Sequence, residues 1–351
     1  MTEDAPTVAV TGMNAKPDNP GPGLAVSRCL VESADFKGRI IGLSYDPLDP
    51  GLYLKNYCEA GYLLPYPSAG DDAFLERLSS IHDREHIDIL LPCLDAELPG
   101  MIRLKPEIED MGIKTFLPNS EQLRLRNKDK LPELAKYAGL ACPDIKAITS
   151  AGFFYDCQEQ GWTYPLVVKG LFYDAIIVYN ADQAVDGFRK IAAEWGYPVL
   201  VQKYVKGQEY NLSALGDGKG NMLGAVMMKK MALTDKGKAW AGVTINDETL
   251  YHTSEKLIRE INWRGPLEVE VLKDNKGQYQ LLEINPRFPA WIYLSHGVGR
   301  NLPMALLALA QNQDLPSFAK IQSGLMFIRY AQEIIVPISE FEEFIVTGMN
   351  K

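Results

Sequence analysis

The sequence has little of what marks a secreted, membrane-spanning or zinc-binding chain. Its 351 residues include five cysteines, and their spacing matches neither a disulfide framework nor a zinc site. No uninterrupted apolar run approaches the roughly 18 residues that a membrane helix needs. Residues 1–6 are polar and acidic, which is untypical of a signal peptide. We therefore expect a cytoplasmic protein whose cysteines are reduced and mostly structural.

Positive charge and histidine are also scarce. The chain has 36 Lys and Arg against 45 Asp and Glu, a formal net charge of -9, which argues against nucleic-acid partners. His82 and His86 lie one helical turn apart, but no third ligand is near them in sequence, so a solvated helix face is favoured over a metal site. What the chain does have is ordinary globular composition and enough length for about two or three domains.

Residues 1–118 alternate between strand-like and helix-like segments. Short apolar runs predict strands at 7–12, 39–45, 87–91 and 114–117. This alternation predicts a doubly wound parallel sheet, whose carboxyl edge is where ligands bind. The loop at 14–23 lacks the spacing G-x-G-x-x-G, so a nicotinamide cofactor is disfavoured and a structural loop or a substrate lining is expected. Asp95, at the same edge, is expected to cap the next helix rather than to face the substrate.

Residues 119–320 form a second predicted unit with mixed helices and strands. A helical stretch at 119–137 is followed by a buried strand at 165–169, which ends in Lys169. The strand pattern after residue 207 predicts an antiparallel sheet, and the family resemblance given below implies a lid subdomain over about 145–205. Residues 321–351 are expected to form a short C-terminal segment.

The most informative stretch is Glu283-Ile284-Asn285-Pro286-Arg287, which follows one strand-like run, while Glu270 lies at the end of another. Two carboxylates and an amide oxygen on paired strands would form the hard-oxygen cluster that Mg²⁺ favours. Arg287 adds a planar cation suited to phosphate or carboxylate. Alone, the motif would indicate solvated acids at a hairpin edge, but Glu270 and the ordered lysines favour a metal site.

These residues are part of a longer ordered set that resembles the ATP-grasp superfamily. The set comprises, in chain order, Lys130, Lys169, Gln202, Lys203, Tyr204, Val205, Glu209, Glu270, Glu283, Asn285 and Arg287. It looks most like the branch that holds the large subunit of carbamoyl-phosphate synthetase and biotin carboxylase. The resemblance implies an α/β ATP-grasp fold, in which an N-terminal doubly wound parallel sheet is followed by two α+β subdomains that clasp ATP.

The resemblance also implies a role for each residue of the set. Phosphate contacts are implied for Lys130 and Lys169, adenine contacts for Gln202, Lys203, Tyr204 and Val205, and ribose contacts for Glu209. Mg²⁺, or Mn²⁺ as an alternative, is implied to bind Glu270, Glu283 and Asn285. Arg287 and Lys169 are the implied catalytic residues, because cations there would offset charge on the group being transferred.

The implied activity is that of an ATP- and Mg²⁺-dependent, ADP-forming ligase that makes C–N bonds. ATP would convert an organic carboxylate into an acyl phosphate, and an amine would then displace the phosphate. The expected partners are a small-molecule carboxylate and an amine, with no nucleic acid and no membrane. A homodimer or a partner protein is left open.

Two departures from the family pattern affect this expectation. Residues 170–175 carry one glycine and two aromatics, where many relatives have a glycine-rich phosphate loop. Two possibilities follow: the loop is shortened and Tyr173 or Asp174 acts on substrate, or activity is impaired. The second possibility leaves open a nucleotide-binding pseudo-enzyme that works as a scaffold with a partner protein. After Arg287 the chain is mostly apolar, over residues 288–293, which favours an organic carboxylate such as an amino acid or a peptide end over bicarbonate.

A group of lysines surrounds a predicted turn at residues 234–237. Its members are Lys229, Lys230, Lys236 and Lys238. A solvated hairpin tip is the favoured interpretation. The alternative is that one lysine reaches the phosphates, or that the group attracts an anionic substrate.

Overall fold

The computed structural model describes residues 5–171 and 174–350. Its strands are β1 (Thr7–Val10), β2 (Arg39–Ser44), β3 (Ala60–Leu63), β4 (Ile89–Leu91), β5 (Ile145–Ile148), β6 (Leu166–Lys169), β7 (Ala175–Val178), β8 (Val199–Lys203), β9 (Gly207–Asp217), β10 (Met222–Leu233), β11 (Ala239–Thr244), β12 (Arg264–Asp274), β13 (Tyr279–Asn285), β14 (Met326–Ile328) and β15 (Met349–Asn350). Its α-helices are α1 (Gly23–Val31), α2 (Asp71–Glu85), α3 (Leu98–Arg103), α4 (Lys105–Asp110), α5 (Ser120–Leu125), α6 (Leu131–Ala138), α7 (Phe153–Asp156), α8 (Ala181–Trp195), α9 (Glu248–Glu260), α10 (Tyr293–Gly297), α11 (Leu302–Ala310) and α12 (Ile338–Thr347), with 3₁₀ turns at Pro50–Tyr53 and Pro67–Ala69. Within these described ranges no helix combines the length and the apolar character needed to cross a membrane.

The N-terminal sheet is parallel over the strands β3-β2-β1-β4, in that spatial order. Its central strand β1 is buried on both faces. Val8 packs in a cluster with Leu30 of α1, whereas Ala9 packs in another cluster with Leu78 of α2. Helices therefore cover both faces, and the predicted doubly wound parallel sheet is confirmed.

One predicted strand of this sheet was wrong and another was missed. Residues 114–117 do not form a strand, because Lys114 makes only an isolated bridge to Ile89. The missed strand is β3, where Gly61 interrupts an already short apolar run. Packing requires this glycine, since an added Cβ would lie 2.8 Å from Cζ of Phe344.

The C-terminal residues return to the N-terminal sheet. Strand β15 pairs antiparallel with β3, so that Asn350 lies opposite Gly61. The Phe344 side chain of α12 is fully buried, and Arg77 Nη2 donates to the carbonyl oxygen of Gly348 at 2.6 Å. The chain segment that was expected to be a short C-terminal piece thus ends as the edge strand of the first sheet.

The largest sheet has six antiparallel strands in the order β13-β12-β9-β10-β11-β14. Side chains alternate along β12. Leu267, Val269 and Val271 are buried in a cluster with residues of α6 and α9, so Glu268 and Glu270 lie on the opposite face. One face of this sheet therefore carries apolar core, and the other carries carboxylates.

A smaller sheet has the strand order β5-β8-β6-β7 and packs against α8. Phe188 of α8 contributes to the same buried cluster as Val168 and Val201. Strands β6 and β8 end at Lys169 and Lys203, as the sequence predicted for the lysine-terminated strand at 165–169. Together with the six-stranded sheet, this unit confirms the two α+β subdomains expected after the N-terminal sheet.

Phe344→Ala should lower the free energy of unfolding by about 3–5 kcal/mol, because it removes a buried ring and leaves a cavity against Gly61. Urea denaturation of the whole chain, followed by tryptophan fluorescence, measures this difference. The matched control is Ile345→Ala. The Ile345 side chain is 60% exposed, so its truncation should change the free energy of unfolding by less than about 0.5 kcal/mol. Equal stability of Phe344→Ala and the parent would show that α12 does not belong to the core of this sheet.

Candidate nucleotide and metal site

The candidate site lies on the carboxylate-bearing face of the six-stranded sheet. Strand register places Glu270 opposite Glu283 of β13 on one side and opposite Asn211 of β9 on the other. In the next row, Glu268 lies opposite Asn285. Because residues two apart on a strand share a face, these polar side chains meet on one surface. The surface contains all three predicted metal ligands.

Glu268 was not predicted, and it is the most heavily bonded group of this surface. Its buried carboxylate accepts hydrogen bonds from Asn211 Nδ2, from Asn285 Nδ2 at 3.0 Å and from Trp291 Nε1 at 2.7 Å. Burial and the nearby charge of Glu270 raise the pKa of Glu268. Asn285 Nδ2 also donates to Glu270 Oε1 at 2.9 Å, so this amide bridges the two carboxylates.

The side-chain oxygen of Asn211 is unsatisfied. It is buried, and no hydrogen-bond donor for it exists among the described residues. Buried acceptors without a partner are uncommon in folded proteins. Since Asn211 lies in the same row as Glu270, its oxygen is placed to accept from a ligand or to coordinate a cation.

Lys230 of β10 pairs with two carboxylates. Its Nζ lies 2.7 Å from Glu209 Oε2 and 2.9 Å from Glu270 Oε2, and its side chain is 6% exposed. Burial alone would lower the pKa of Lys230, but the charges of Glu270 and Glu209 outweigh burial and raise it. Burial would likewise raise the pKa of Glu270, whereas Lys230, Lys238 and Arg287 hold it at about 2. For Lys230, the favoured interpretation as part of a solvated hairpin tip was wrong.

Arg287 joins the carboxylate surface to the N-terminal sheet. Its Nε donates to Asp95 Oδ2 at 2.6 Å, and its Nη1 lies 3.9 Å from Glu268 Oε2. Asp95 was expected to cap a helix, but α3 begins at Leu98 and the carboxylate binds the arginine instead. Burial would raise the pKa of Asp95, and the charges of Arg287 and Arg126 lower it. This ion pair connects two sheets at one edge of the site.

Two lysines lie close to the metal-ligand row. Lys128 Nζ is 3.3 Å from Glu283 Oε1 and 3.4 Å from the carbonyl oxygen of Gly170. Burial of Lys169, and after it the like charge of Lys128, lowers the Lys169 pKa to about 8. Lys130, to which the family pattern gave a phosphate contact, occupies the N-cap position of α6. The structure therefore brings Lys128 to this row, and the phosphate contact of Lys130 stays a prediction.

The residues expected to contact adenine lie on β8 and on its link to β9. Gln202 is buried within the strand, and Lys203 Nζ pairs with Asp144 Oδ2 at 2.8 Å. Tyr204 is exposed and Val205 is half-buried. Contact between these residues and adenine stays a prediction.

The loop that follows Lys169 is described only in part. Phe172 and Tyr173 lie outside the described residues, and with them the predicted role of Tyr173. Asp174 adopts a φ of 60°, and its Oδ2 accepts a hydrogen bond from Trp195 Nε1 at 2.8 Å. Because this bond ties the Asp174 carboxylate to α8, it does not support a substrate contact by Asp174.

A cleft of about 180 Å³ opens between the carboxylate surface and the N-terminal sheet. The loop between β1 and α1 forms one wall, and Lys238 and Arg329 also line the cleft. Arg329 Nε donates to the carbonyl oxygen of Ala239 at 3.0 Å, and in the part of the chain that the structure describes Arg329 forms no ion pair. Burial lowers the pKa of Arg329 to about 10, so its guanidinium stays charged at neutral pH.

Sequence patterns gave no site role to four residues of this region: Lys128, Asn211, Glu268 and Arg329. For Lys230 they gave a site role only as the disfavoured alternative. For some of these residues a signal existed. Glu209 and Asn211 occupy alternate positions of β9, as Glu268 and Glu270 do on β12, and a period of two places each pair on one face of its strand. For the two basic residues that approach from other elements, Lys128 and Arg329, local sequence gives no such signal.

The architecture is similar to that of solved structures over most of the chain. Biotin carboxylase from Campylobacter jejuni, solved as a β,γ-ATP complex, is 17% identical; the match has a TM-score of 0.66 and covers 89% of this chain and 72% of that one. A biotin carboxylase domain dimer from Hydrogenobacter thermophilus 2-oxoglutarate carboxylase, solved with MgADP, is 15% identical. This match has a TM-score of 0.65 and covers 91% of this chain and 72% of that one. L-amino acid ligase from Bacillus licheniformis is 16% identical, with a TM-score of 0.62 and coverages of 88% and 75%.

These similarities define the fold: the chain has the ATP-grasp fold, and the resemblance to the ATP-grasp superfamily is confirmed. A family model described as ATP-grasp in the biosynthetic pathway with Ter operon matches residues 197–333. The matched region contains β9 to β13, and therefore every residue of the carboxylate surface.

Lys169→Met should raise the free energy of unfolding near pH 7 by up to about 3 kcal/mol. A lysine pKa lowered from 10.5 to about 8 means that the charged form is disfavoured in the folded state, at about 1.4 kcal/mol per unit. Because the folded-state pKa lies below the unfolded value, this penalty is full below about pH 8 and fades as the pH rises to 10.5.

Denaturation of Lys169→Met and the parent at several pH values across this window should therefore show a difference that shrinks with rising pH. Lys203→Met is the matched control, because that lysine is 41% exposed and its ion pair should contribute less than about 1 kcal/mol. A stability difference that grew with pH would contradict the assigned shift of Lys169.

Proposed function

We propose that the protein is an ATP- and Mg²⁺-dependent ligase, which activates an organic carboxylate as an acyl phosphate for attack by an amine. The observation that carries this proposal is the row of Glu283, Glu270 and Asn211 across three strands, with Lys128 and Lys169 beside it. Hard oxygens next to buried cations suit a metal ion bound to a triphosphate. The fold supports the proposal, since biotin carboxylase and L-amino acid ligase structures share it.

The set of oxygen donors fits Mg²⁺. Glu270, Glu283 and Asn285 supply oxygens, and Asn211 adds a buried oxygen that has no partner in the described protein. No cluster of three or more His, Cys, Asp or Glu side chains could hold a metal ion within residues 5–171 and 174–350. Phosphate and water oxygens would therefore complete the coordination, as is usual for Mg²⁺. When bound, the ion would offset the negative charge of the phosphates, and Mn²⁺ would fit the same oxygens.

The nucleotide would lie between the six-stranded sheet and the four-stranded sheet. Lys169 and Lys128 would contact its phosphates as point charges. Glu209, at the start of β9, would bind the ribose hydroxyls. Gln202 and the following residues 203–205 would line the adenine. The MgADP bound to the Hydrogenobacter thermophilus domain supports a nucleotide in this fold.

The cleft beside Arg287 would hold the carboxylate substrate, with Lys238 and Arg329 supplying positive charge. A carboxylate oxygen would attack the γ-phosphorus of ATP, and the bond from that phosphorus to the ADP oxygen would break. Arg287 would stabilise the charge that develops on the phosphoryl or the acyl group. The amine nitrogen would then attack the acyl carbon, phosphate would leave, and the nitrogen would lose a proton to solvent.

The apolar part of the cleft favours a substrate larger than bicarbonate. Pro289, Ala290 and Trp291 line it. Pockets with apolar walls and a few charged groups suit small organic acids. An amino acid or a peptide end is therefore the substrate class to test first, and the similarity to an L-amino acid ligase supports that choice.

Glu283→Gln should lower ADP formation from MgATP by at least about 100-fold, because it removes one anionic ligand of the metal while keeping the side-chain shape. ADP release is measured with pooled amino acids and organic acids, and fractionation of an active pool identifies the substrate. Glu133→Gln, an exposed glutamate of α6, is the matched control and should keep full turnover. Turnover by Glu283→Gln at the parent's rate would refute the metal assignment, and AMP in place of ADP would overturn the acyl phosphate.

A further inference from the structure

Lys230 holds two carboxylates that the proposed function gives to different parts of the ligand. Its Nζ contacts Glu209, the proposed ribose ligand, at 2.7 Å and Glu270, a proposed metal ligand, at 2.9 Å. An ammonium and a divalent cation on the same carboxylate would repel each other strongly in a buried site. Ribose hydroxyls would compete with the same ammonium for Glu209. Lys230 and a metal-bound nucleotide therefore compete for the carboxylates of Glu209 and Glu270.

Both oxygens of the Glu270 carboxylate already have donors. Asn285 Nδ2 donates to Oε1 at 2.9 Å, and Lys230 Nζ donates to Oε2 at 2.9 Å. Each carboxylate oxygen has a second lone pair, so the hydrogen bond from the neutral Asn285 amide is compatible with a bound metal ion. A divalent cation on Glu270 would, however, lie close to the Lys230 ammonium, and charge repulsion makes Lys230 the group to leave. The side chain of Lys230 is 6% exposed, so water offers little compensation for the lost contact.

We propose that Lys230 is a place-holding cation, which occupies the metal's carboxylate in the nucleotide-free protein and makes metal binding depend on nucleotide. This inference rests on the proposed function and adds an order of binding to it. A metal ion that bound without nucleotide would separate the Lys230 ammonium from Glu270, and no new acceptor would replace that contact. A nucleotide that arrives with the metal offers phosphate oxygens to Lys230 and ribose hydroxyls to Glu209, so each group that loses a partner gains another.

The role of Lys230 has two measurable consequences. The nucleotide-free parent should bind a divalent cation weakly. Without Lys230, Glu270 would keep one oxygen free next to the unsatisfied oxygen of Asn211, and the site should take a divalent cation without nucleotide.

Titration of the nucleotide-free protein with Mn²⁺, followed by the electron paramagnetic resonance signal of free Mn²⁺, tests this proposal. Lys230→Met should bind Mn²⁺ at least about tenfold more tightly than the parent. Lys229→Met is the matched control: it removes the same charge from the preceding position of β10, which faces the other side of the strand, and its affinity should stay within about twofold of the parent. Adding Glu270→Gln to Lys230→Met should abolish the gain.

The proposal is overturned if Lys230→Met binds Mn²⁺ no more tightly than the parent, or if Lys229→Met gains as much. Lys230→Gln removes the charge but keeps a polar side chain, so it should show the same gain and replaces Lys230→Met should that variant not fold. Lys230→Arg keeps the charge and should bind Mn²⁺ as weakly as the parent; a gain in Lys230→Arg would also overturn the proposal.

Calorimetric titration of the parent with MgADP separates this proposal from the proposed function. Absence of MgADP binding would contradict the proposed function itself. MgADP binding, together with Mn²⁺ binding to the nucleotide-free parent that is as tight as in Lys230→Met, would contradict only the role given to Lys230.

Discussion

Two glutamates buried on one face of the six-stranded sheet, Glu268 and Glu270, determine most of what surrounds them. Removing a carboxylate from water costs several kcal/mol even after the protein relaxes, so each needs donors or cations in contact. Glu268 has amide and indole donors, and Glu270 has Lys230. In their strand the two glutamates alternate with apolar residues, which fill the core on one face of the sheet. The carboxylates therefore lie on the opposite face. The polar surface is thus a direct consequence of the core.

Contacts of two basic residues of the site connect the three sheets. Arg287, just beyond β13, reaches Asp95 at the carboxyl edge of the N-terminal sheet. Lys128 contacts Glu283 of the six-stranded sheet and the backbone of Gly170 in the four-stranded unit. A site assembled from three units in this way forms only when they are packed together, which is typical of ligand sites between domains.

Local patterns were enough to predict much of this arrangement. The parallel sheet follows from alternating strands and helices, and the motif at residues 283–287 revealed the metal-ligand candidates. The contact of Lys128 with Glu283 was beyond those patterns, because it depends on how the chain before α6 packs against β13. The structure starts that helix at Leu131, with a proline in its first turn, and so turns Lys130 into the residue at the helix end.

Partners that are distant in sequence could not be predicted from local pattern. A run of lysines beside a turn is usually exposed, so the sequence around residues 229–238 favours a solvated hairpin tip. The burial of Lys230 depends instead on β10 extending alongside β9, so that Glu209 faces it. The pairing of Glu270 with Glu283 depends on an irregularity in the register directly after Glu270. A one-residue shift in register would move a whole set of side chains to the other face.

We propose that this surface transfers a phosphoryl group from ATP to a carboxylate oxygen. The most direct measurement uses an acid that supports ADP release, labelled with ¹⁸O in its carboxylate, and determines by mass spectrometry where the label appears after turnover with an amine. We expect one ¹⁸O atom in the released phosphate, because the acyl phosphate is cleaved between the carbonyl carbon and the bridging oxygen. Label in AMP, or amide product formed with unlabelled phosphate, would contradict it.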